Sequence, residues 1–313
     1  MRVVVVGSAN IDLVATAPHL PRAGETVLGN DFSQVPGGKG ANQAIAACRA
    51  GASVALIGAI GSDSFGVTLR ARLTASTVDI SLLRVVYGTS GVALIVVEPT
   101  GENMIVVAPG ANAALTSLTE PDLAAIRGAD VLLLQLEIPL ATVTAAAVAA
   151  REAGVRVLLN AAPARTLPAD LEAAVDLLVV NQVEGAALAA VSPVGVDAVP
   201  EPAEADPWVL VETLLDRLPR VVLTRGAAGA WYGSRDADPV HVPAPVVEAV
   251  DSTAAGDAFT AALAVAWGEG RELLDAVRWA SAAGAVAAQR PGASNALPVR
   301  GDIDGLYSAT YRA

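Results

Sequence analysis

Val131-Leu132-Leu133-Leu134-Gln135-Leu136-Glu137 is a short apolar run closed by a polar residue, and the same phrase recurs along the chain. Residues 155–160, 177–180 and 221–224 repeat it, with Ala-rich stretches of helical character between the runs. Strands that are apolar throughout, alternating with helices, are the mark of a parallel sheet covered on both faces. Helices are expected over 140–153, 181–190, 208–218 and 273–289. The opening Met1-Arg2-Val3-Val4-Val5-Val6-Gly7 reads as the first buried strand. The fold class that follows is α/β, a doubly wound and mainly parallel sheet flanked by helices. In such sheets ligands bind outside the carboxyl ends of the strands, which draws attention to Glu137, Asn160, Asn181 and Thr224.

Two segments, about 13–35 and 90–108, break the alternation. Residues 91–98 and 103–108 are apolar on both faces and are joined through Pro99-Thr100-Gly101-Glu102, which predicts a β-hairpin. A small sheet that is apolar on both sides is either a lid whose outer face packs on a second subunit, or an ordinary two-layer subdomain. The remainder of 1–313 is expected to form one domain carrying that lid. Residues 192–207, with four prolines and several acids, read as an exposed loop or weak linker.

Composition narrows the function. The formal net charge of −12 argues against nonspecific nucleic-acid binding, which needs many cations to neutralise phosphates. The single cysteine, Cys48, excludes an internal disulfide and reads as a small core residue. No apolar run approaches the ~18 residues of a membrane-spanning helix, and the first residues lack a signal-peptide pattern. A cytoplasmic protein with no membrane partner is expected. His19 and His241 stand apart beside proline-containing segments, so both are assigned to structure.

The only lysine among 20 basic residues, Lys39, lies in Gly37-Gly38-Lys39-Gly40-Ala41-Asn42. A compact ammonium flanked by glycines suits close approach to a small polar ligand, and Asn42 adds an amide that donates and accepts. A plain Gly-rich turn with a solvated lysine is the other reading. The second motif, Asp251-Ser252-Thr253-Ala254-Ala255-Gly256-Asp257, precedes a helical run. Small residues there leave backbone N–H groups open at a helix N-terminus, where an anion such as phosphate is favoured. Asp257, in the first turn, is expected to stay ionised and able to accept a proton. For an isolated Gly-Asp a simple helix cap would be preferred, but Asp251 supplies a second carboxylate on the same loop.

With these motifs and Ser8-Ala9-Asn10-Ile11-Asp12, Gly110-Ala111-Asn112, Gln135-Leu136-Glu137 and Ala162-Pro163-Ala164-Arg165 in the same order, the chain resembles the ribokinase-like (PfkB) carbohydrate kinase family over roughly residues 3–300. The resemblance implies ATP-dependent phosphorylation of D-ribose at its 5-hydroxyl. Asn10, Asp12, Gly38, Lys39, Asn42 and Glu137 would hold the sugar, and Asp257 would be the base. The N–H groups of Ala254, Ala255 and Gly256 would hold the transferring phosphate. Thr224-Arg225-Gly226-Ala227-Ala228-Gly229 matches the family's nucleotide loop, where glycine lets the nucleotide come close, and Ser281 falls near the adenine. Asn181 and Glu184 match an Asn-x-x-Glu motif associated with Mg²⁺ and its water shell, although Glu184 alone would pass as an exposed helix acid. A monovalent cation, K⁺, would be held by Asp251 and Thr253 with carbonyls of Ala287, Arg290 and Gly292.

The chain departs from the family at Ala296, where a hydroxyl is usual, leaving Ser294 or Asn295 as substitutes. A homodimer formed through the lid is expected. Other acceptors within the family, 2-deoxyribose, a ketose or adenosine, stay open. A nicotinamide oxidoreductase fails for want of a complete Gly-x-Gly-x-x-Gly after the first strand. A silent sugar-binding regulator is disfavoured by the intact loop and Asp257.

Overall fold

A computed structural model describes residues 1–190 and 205–312. The first half contains β1 (Arg2–Val6), β2 (Asn10–Thr16), β3 (Asp31–Gly37), α1 (Lys39–Arg49), β4 (Ser53–Gly61) and α2 (Ser64–Ala75). It continues through β5 (Leu83–Val86), β6 (Gly91–Val97), β7 (Asn103–Ala108), α3 (Glu120–Arg127), β8 (Val131–Leu134) and α4 (Leu140–Glu152). The second half contains β9 (Arg156–Asn160), α5 (Ala169–Ala174), β10 (Leu177–Asn181), α6 (Gln182–Ala190), α7 (Pro207–Leu215) and β11 (Arg220–Thr224). It closes with β12 (Ala230–Ser234), β13 (Ala237–Val242), α8 (Ala255–Gly268), α9 (Leu273–Ala288) and α10 (Arg300–Tyr311).

Nine strands form one sheet in the order β13-β12-β11-β10-β9-β8-β1-β4-β5. All neighbours from β11 to β5 pair in parallel, and only β12 and β13 at one edge run antiparallel. The order reverses at β1, so β1 and β8 border the crevice where such sheets receive ligands. The pleat of β1 explains its unbroken valines: Val3 and Val5 face one core, Val4 and Val6 the other, and all four are fully buried. On the first face α1, α8 and α9 offer mainly alanine, which lets backbones approach closely around Trp279. The Trp279 indole N–H donates to Asp304 of α10 at 2.7 Å. Truncating a fully buried strand residue such as Leu133 to alanine should cost about 2–5 kcal/mol.

The predicted strands and helices are present, with their ends corrected. The strand expected over 131–136 stops at Leu134: Leu136 N–H instead donates to Ala162 O at 3.0 Å, and the Gln135 side chain turns inward to Gln43. The helix expected over 208–218 starts one residue earlier, with Pro207 in its first turn and Asp206 accepting from Trp208 N–H at 2.9 Å. It ends short of Pro219, whose ring disfavours helix just before it. Of the predicted 192–207 loop, residues 192–204 lie outside the described residues.

The lid segments form a separate four-stranded sheet, β3-β2-β6-β7. The predicted hairpin is β6 against β7, with Val92 opposite Ala108 and Val97 opposite Asn103. β2 joins it in parallel, setting Asn10 beside Gly91 and Asp12 beside Ala93. Every residue of β7 is exposed, including Met104, Ile105, Val106 and Val107. Among the described residues no helix is long and apolar enough to cross a membrane.

Candidate active site

Three chain segments converge above the carboxyl ends of the sheet: the turn from β1 into β2, the start of α1, and the start of α8. Gly38 precedes α1 with φ 88°, and a Cβ there would lie 2.7 Å from Asn10 N. Contact between two backbone segments by itself requires glycine here. Lys39 N–H, at the positive end of α1, donates to Glu137 Oε2 at 3.0 Å, and Ser8 Oγ donates to the same oxygen at 2.5 Å. Glu137 thus caps α1 and keeps Oε1 free.

One turn further along α1, the Asn42 and Gln43 amides reach Asp257. Asn42 Nδ2 donates to Oδ2 at 3.0 Å and Gln43 Nε2 to Oδ1 at 2.9 Å. Asn42 Oδ1 is buried without a partner. Asn10 Oδ1 accepts from Asn112 Nδ2 at 2.6 Å, which fixes the direction of its own amide N–H groups. Asn112 also accepts from Ala9 N–H at 3.0 Å, so it holds the β1–β2 turn in place.

The charges are unequal. Burial, helped by Glu137 and Asp257 and opposed by Lys39, pushes Asp12 up to about 7. Burial likewise raises Asp257, against the Lys39 charge and the hydrogen bonds from Gln43 and Asn42. Desolvation thus acts against the ionised form that the helix end is expected to favour. Burial also raises Glu184, although Asn181 N–H and Lys39 oppose it. For Lys39 burial acts against the charge, but Asp257, Glu137, Glu184 and Asp12 together outweigh it and lift the pKa. One ammonium therefore stands among four carboxylates.

A cavity beside Asp257 is lined by Lys39, Asn160, Asn181, Glu184, Thr224 and Gly256, so three of the four residues expected from strand ends meet there. Glu137 stands at the other side of Lys39 with Asp12. Asn181 and Glu184 cap one another: Asn181 N–H donates to Glu184 Oε2 at 2.9 Å and Glu184 N–H to Asn181 Oδ1 at 2.8 Å. Glu184 is thus a partly buried cavity acid.

The loop before α8 departs from the simple three-amide cradle. Ala254 takes a left-handed conformation, φ 59°, and Ala255 N–H is used by Ser252 O at 3.1 Å. The amides of Gly256 and Asp257, in the first turn, have no intrahelical acceptor. A Cβ on Gly256 would meet nothing within 4 Å, so the cavity side is open. Asp257's own N–H was not anticipated as part of this donor set.

Beyond Thr224 the chain makes a tight turn in which Arg225 N–H donates to Gly229 O at 2.8 Å, while Arg225 Nε donates to Gln182 Oε1 at 2.8 Å. Gly229 has φ 87°, and a Cβ would lie 2.2 Å from Val242 O. Packing against β13 by itself requires this glycine. Gly226, Ala227 and Ala228 form the crown of the turn. Ser281, buried in α9, donates to Val277 O at 2.9 Å and does not line the cavity. His241 meets Ala228 O at 2.8 Å and His19 meets Glu25 at 3.0 Å, so both have structural partners.

Asp251 lies outside the cavity. Its Oδ1 accepts from Thr253 N–H and its Oδ2 from Gly292 N–H, each at 2.8 Å. Burial works against its charge, but the Thr253 side chain together with these backbone bonds prevails and holds it below the usual carboxylate range. Ala287 O is occupied as a helix end by Gln289 and Arg290 N–H groups. Ala296 is fully buried; Ser294, one proposed substitute, accepts from Arg72 Nε at 2.9 Å, and Asn295 is exposed. Among the described residues no three His, Cys, Asp or Glu side chains form a metal-holding group.

Comparison with known proteins agrees with this geometry. A family model described as pfkB family carbohydrate kinase matches residues 1–300. The chain is 36% identical over 298 residues to a ribokinase of Haemophilus influenzae, covering 95% of each chain. It is 35% identical over 306 residues to a Bacillus subtilis ribokinase, covering 97% of this chain and 98% of the other. Its fold superposes with TM-score 0.84 on an Arabidopsis thaliana ribokinase complexed with ribose and ATP, at 29% identity and with 97% and 98% coverage.

Proposed function

From the premise that this chain belongs to the pfkB family of carbohydrate kinases, we propose that it transfers the γ-phosphate of ATP to the 5-hydroxyl of D-ribose. The observation that carries the reading is Asp257, held by two amides at the mouth of a cavity that also receives the only lysine. A carboxylate whose pKa burial has moved upward is a better proton acceptor once ionised. It takes the proton of the 5-hydroxyl as that oxygen attacks the γ-phosphorus in line and ADP departs.

The sugar's other hydroxyls find a matched set. Asn42 Oδ1 is a buried acceptor awaiting a donor, Glu137 Oε1 and Asp12 accept, and the Asn10 amide donates. Lys39 supplies the cation and Gly38 keeps the turn close. Sites of this kind discriminate by leaving a buried group unpaired when a hydroxyl is missing. Gly256 and Asp257 amides, with Ala254 at the bend, would receive the phosphate; the Ala255 amide joins only if its bond to Ser252 O opens. The turn at 224–229 would carry the nucleotide, with Ser281 on the adenine side.

The donor chemistry fits two ions. Glu184, a partly buried acid facing the cavity, with Asn181 suits the water shell of Mg²⁺, which would neutralise charge on the phosphates. Asp251, held ionised by hydrogen bonds from Thr253 and Gly292, would offer its carboxylate to K⁺ beside Thr253, Arg290 and Gly292, although Ala287 O is shared and Ala296 adds no oxygen. The exposed apolar strand β7 supports a homodimer through the lid. The acidic, single-cysteine chain suits the cytoplasm. The test is ATP consumption with D-ribose, 2-deoxyribose, fructose and adenosine in parallel. D-ribose should give the highest kcat/KM, and equal turnover of fructose or adenosine would overturn the choice of sugar.

A further inference from the structure

The Asp257 carboxylate is gripped unevenly. Asn42 has an oxygen without a partner, whereas Gln43 is completely satisfied: Nε2 donates to Asp257 Oδ1 at 2.9 Å and to Asn160 Oδ1 at 3.0 Å, while Oε1 accepts from Gln135 Nε2 at 2.6 Å. Asn160 is itself oriented by the backbone, because its Nδ2 donates to Val179 O in β10 at 3.1 Å. Gln43 and Gln135 are fully buried. The chain of amides has one direction only. Turning Gln43 over would set its oxygen against Asp257 Oδ1 and Asn160 Oδ1, and would bring two NH₂ groups together at Gln135. Gln135 in turn fits because residue 7 is glycine: a Cβ there would sit 2.0 Å from Gln135 Oε1.

We infer that Gln43 is a positioning residue for phosphoryl transfer: the Gln135–Gln43–Asn160 amides lock Oδ1 of Asp257, so that Oδ2, beside the adaptable Asn42, is the oxygen that takes the sugar's proton. This rests on the reading of Asp257 as the base. A permanent N–H on Oδ1 occupies a lone pair and pins the plane of the carboxylate. Asn42 can turn, exchanging its N–H on Oδ2 for a contact to the sugar and opening that oxygen to the 5-hydroxyl. The proton moves from the hydroxyl to Oδ2 as the new O–P bond forms and the bond to ADP breaks.

The groups that set the charge around Asp257 are Lys39 from α1, Glu137 after β8, Glu184 from α6 and Asp12 from β2. None of them is altered by substitution at residue 43, so a change in the pH profile of Gln43→Leu, which adds no charge, reports the lost amide.

The experiment compares wild type, Gln43→Leu, Gln43→Glu, Gln135→Met and Asp257→Asn in steady-state phosphorylation of D-ribose across pH. Gln43→Leu should lower kcat about 10–100-fold with the ribose KM little changed. Gln43→Glu should shift the acid limb of kcat upward by about one pH unit, because a second carboxylate faces Asp257. Gln135→Met removes the donor that holds Gln43 Oε1, loosening Gln43, and should give a smaller loss of kcat in the same direction. If Gln43→Leu does not fold, the other two variants carry the test. Normal kcat and pH profile in the folded variants, or a change in KM alone, with Asp257→Asn inactive, would overturn the positioning role. An active Asp257→Asn would overturn the base assignment instead.

Discussion

Asp251 and Asp257 stand six residues apart on one loop, and the protein treats them in opposite ways. Asp251 accepts from the Thr253 hydroxyl and from the backbone N–H groups of Thr253 and Gly292, and its pKa falls. Asp257 is buried among charges, accepts only side-chain amides, and its pKa rises. The first arrangement stabilises an ionised carboxylate and ties the loop to the 292 turn. The second keeps a carboxylate short of its full stabilisation, which is the condition of a group that must take up a proton. The difference lies in the balance of burial and hydrogen bonding: desolvation prevails at Asp257, whereas at Asp251 the hydrogen bonds from Thr253 and Gly292 prevail.

The largest effect that could break this contrast is on turnover. Asp257→Asn should reduce kcat by about 10²–10⁴ while ribose binding changes little, as read by initial rates and by calorimetric titration of ribose. The fold should tolerate it, because Asn42, whose Oδ1 lacks a partner, can turn over to accept from the new amide. Comparable turnover in the variant would mean that another group takes the proton.

Lys39→Arg comes next. The planar head is bulkier than an ammonium and must enter a space closed by Gly38 and four carboxylates, so ribose KM should rise about tenfold or more with a smaller change in kcat. A change confined to kcat would place Lys39 on the phosphate rather than the sugar.

Stability should separate Asp251, on the loop before α8, from Asp12, on β2, by the sign of its pH dependence. Asp251 has a lowered folded pKa, so its contribution is present above the unfolded value near 3.8 and is lost as pH falls through the folded one. Asp251→Asn should therefore lower Tm at pH 7 and matter less near pH 3. For Asp12, raised to about 7, the sign is reversed: stability present below 3.8 declines as pH rises through 7. Asp12→Asn should raise Tm at pH 8 by roughly 2–4 °C and leave it nearly unchanged at pH 4. Differential scanning fluorimetry across pH decides both, and shifts of the same sign would erase the contrast.

The smallest effect concerns the cation. Activity should be higher in K⁺ than in Na⁺, and Ala296→Ser should lower the K⁺ concentration for half-activation by a few fold, as read from rates at constant ionic strength. Equal rates without K⁺ would leave Asp251 as a cap for its loop and nothing more.

The parallel sheet was legible because its strands are buried on both faces, so runs such as Val3 to Val6 need no alternation to be recognised. The hairpin at 91–108 was legible from its turn. The placement of Asn160, Asn181 and Thr224 around Asp257 followed from the rule that strand ends face the crevice, while Lys39 was drawn from its glycine-flanked motif and Glu184 from the family resemblance. Other parts were not readable. Gln43 and Gln135 are neutral amides that acquire meaning only when α1 and the end of β8 are brought together, 92 residues apart in the chain. A partial signal existed, since Gln43 lies four residues after Lys39 and so shares its helical face. The glycines carry a second reason not readable beforehand: at 38 and 229 they allow contact between backbones, and sequence alone does not show which strand lies beside them. The use of Ala255 N–H by Ser252 depends on the left-handed turn at Ala254, a conformation alanine rarely adopts.

The most direct test of the central claim is to follow the reaction product. Purified protein with ATP, Mg²⁺, K⁺ and D-ribose, monitored by ³¹P NMR, should accumulate ADP and ribose 5-phosphate in equal amounts, and Asp257→Asn under the same conditions should not do so at a comparable rate. Phosphate appearing on another hydroxyl or on a different acceptor in preference to ribose, or released to water with no sugar phosphate formed, would contradict it.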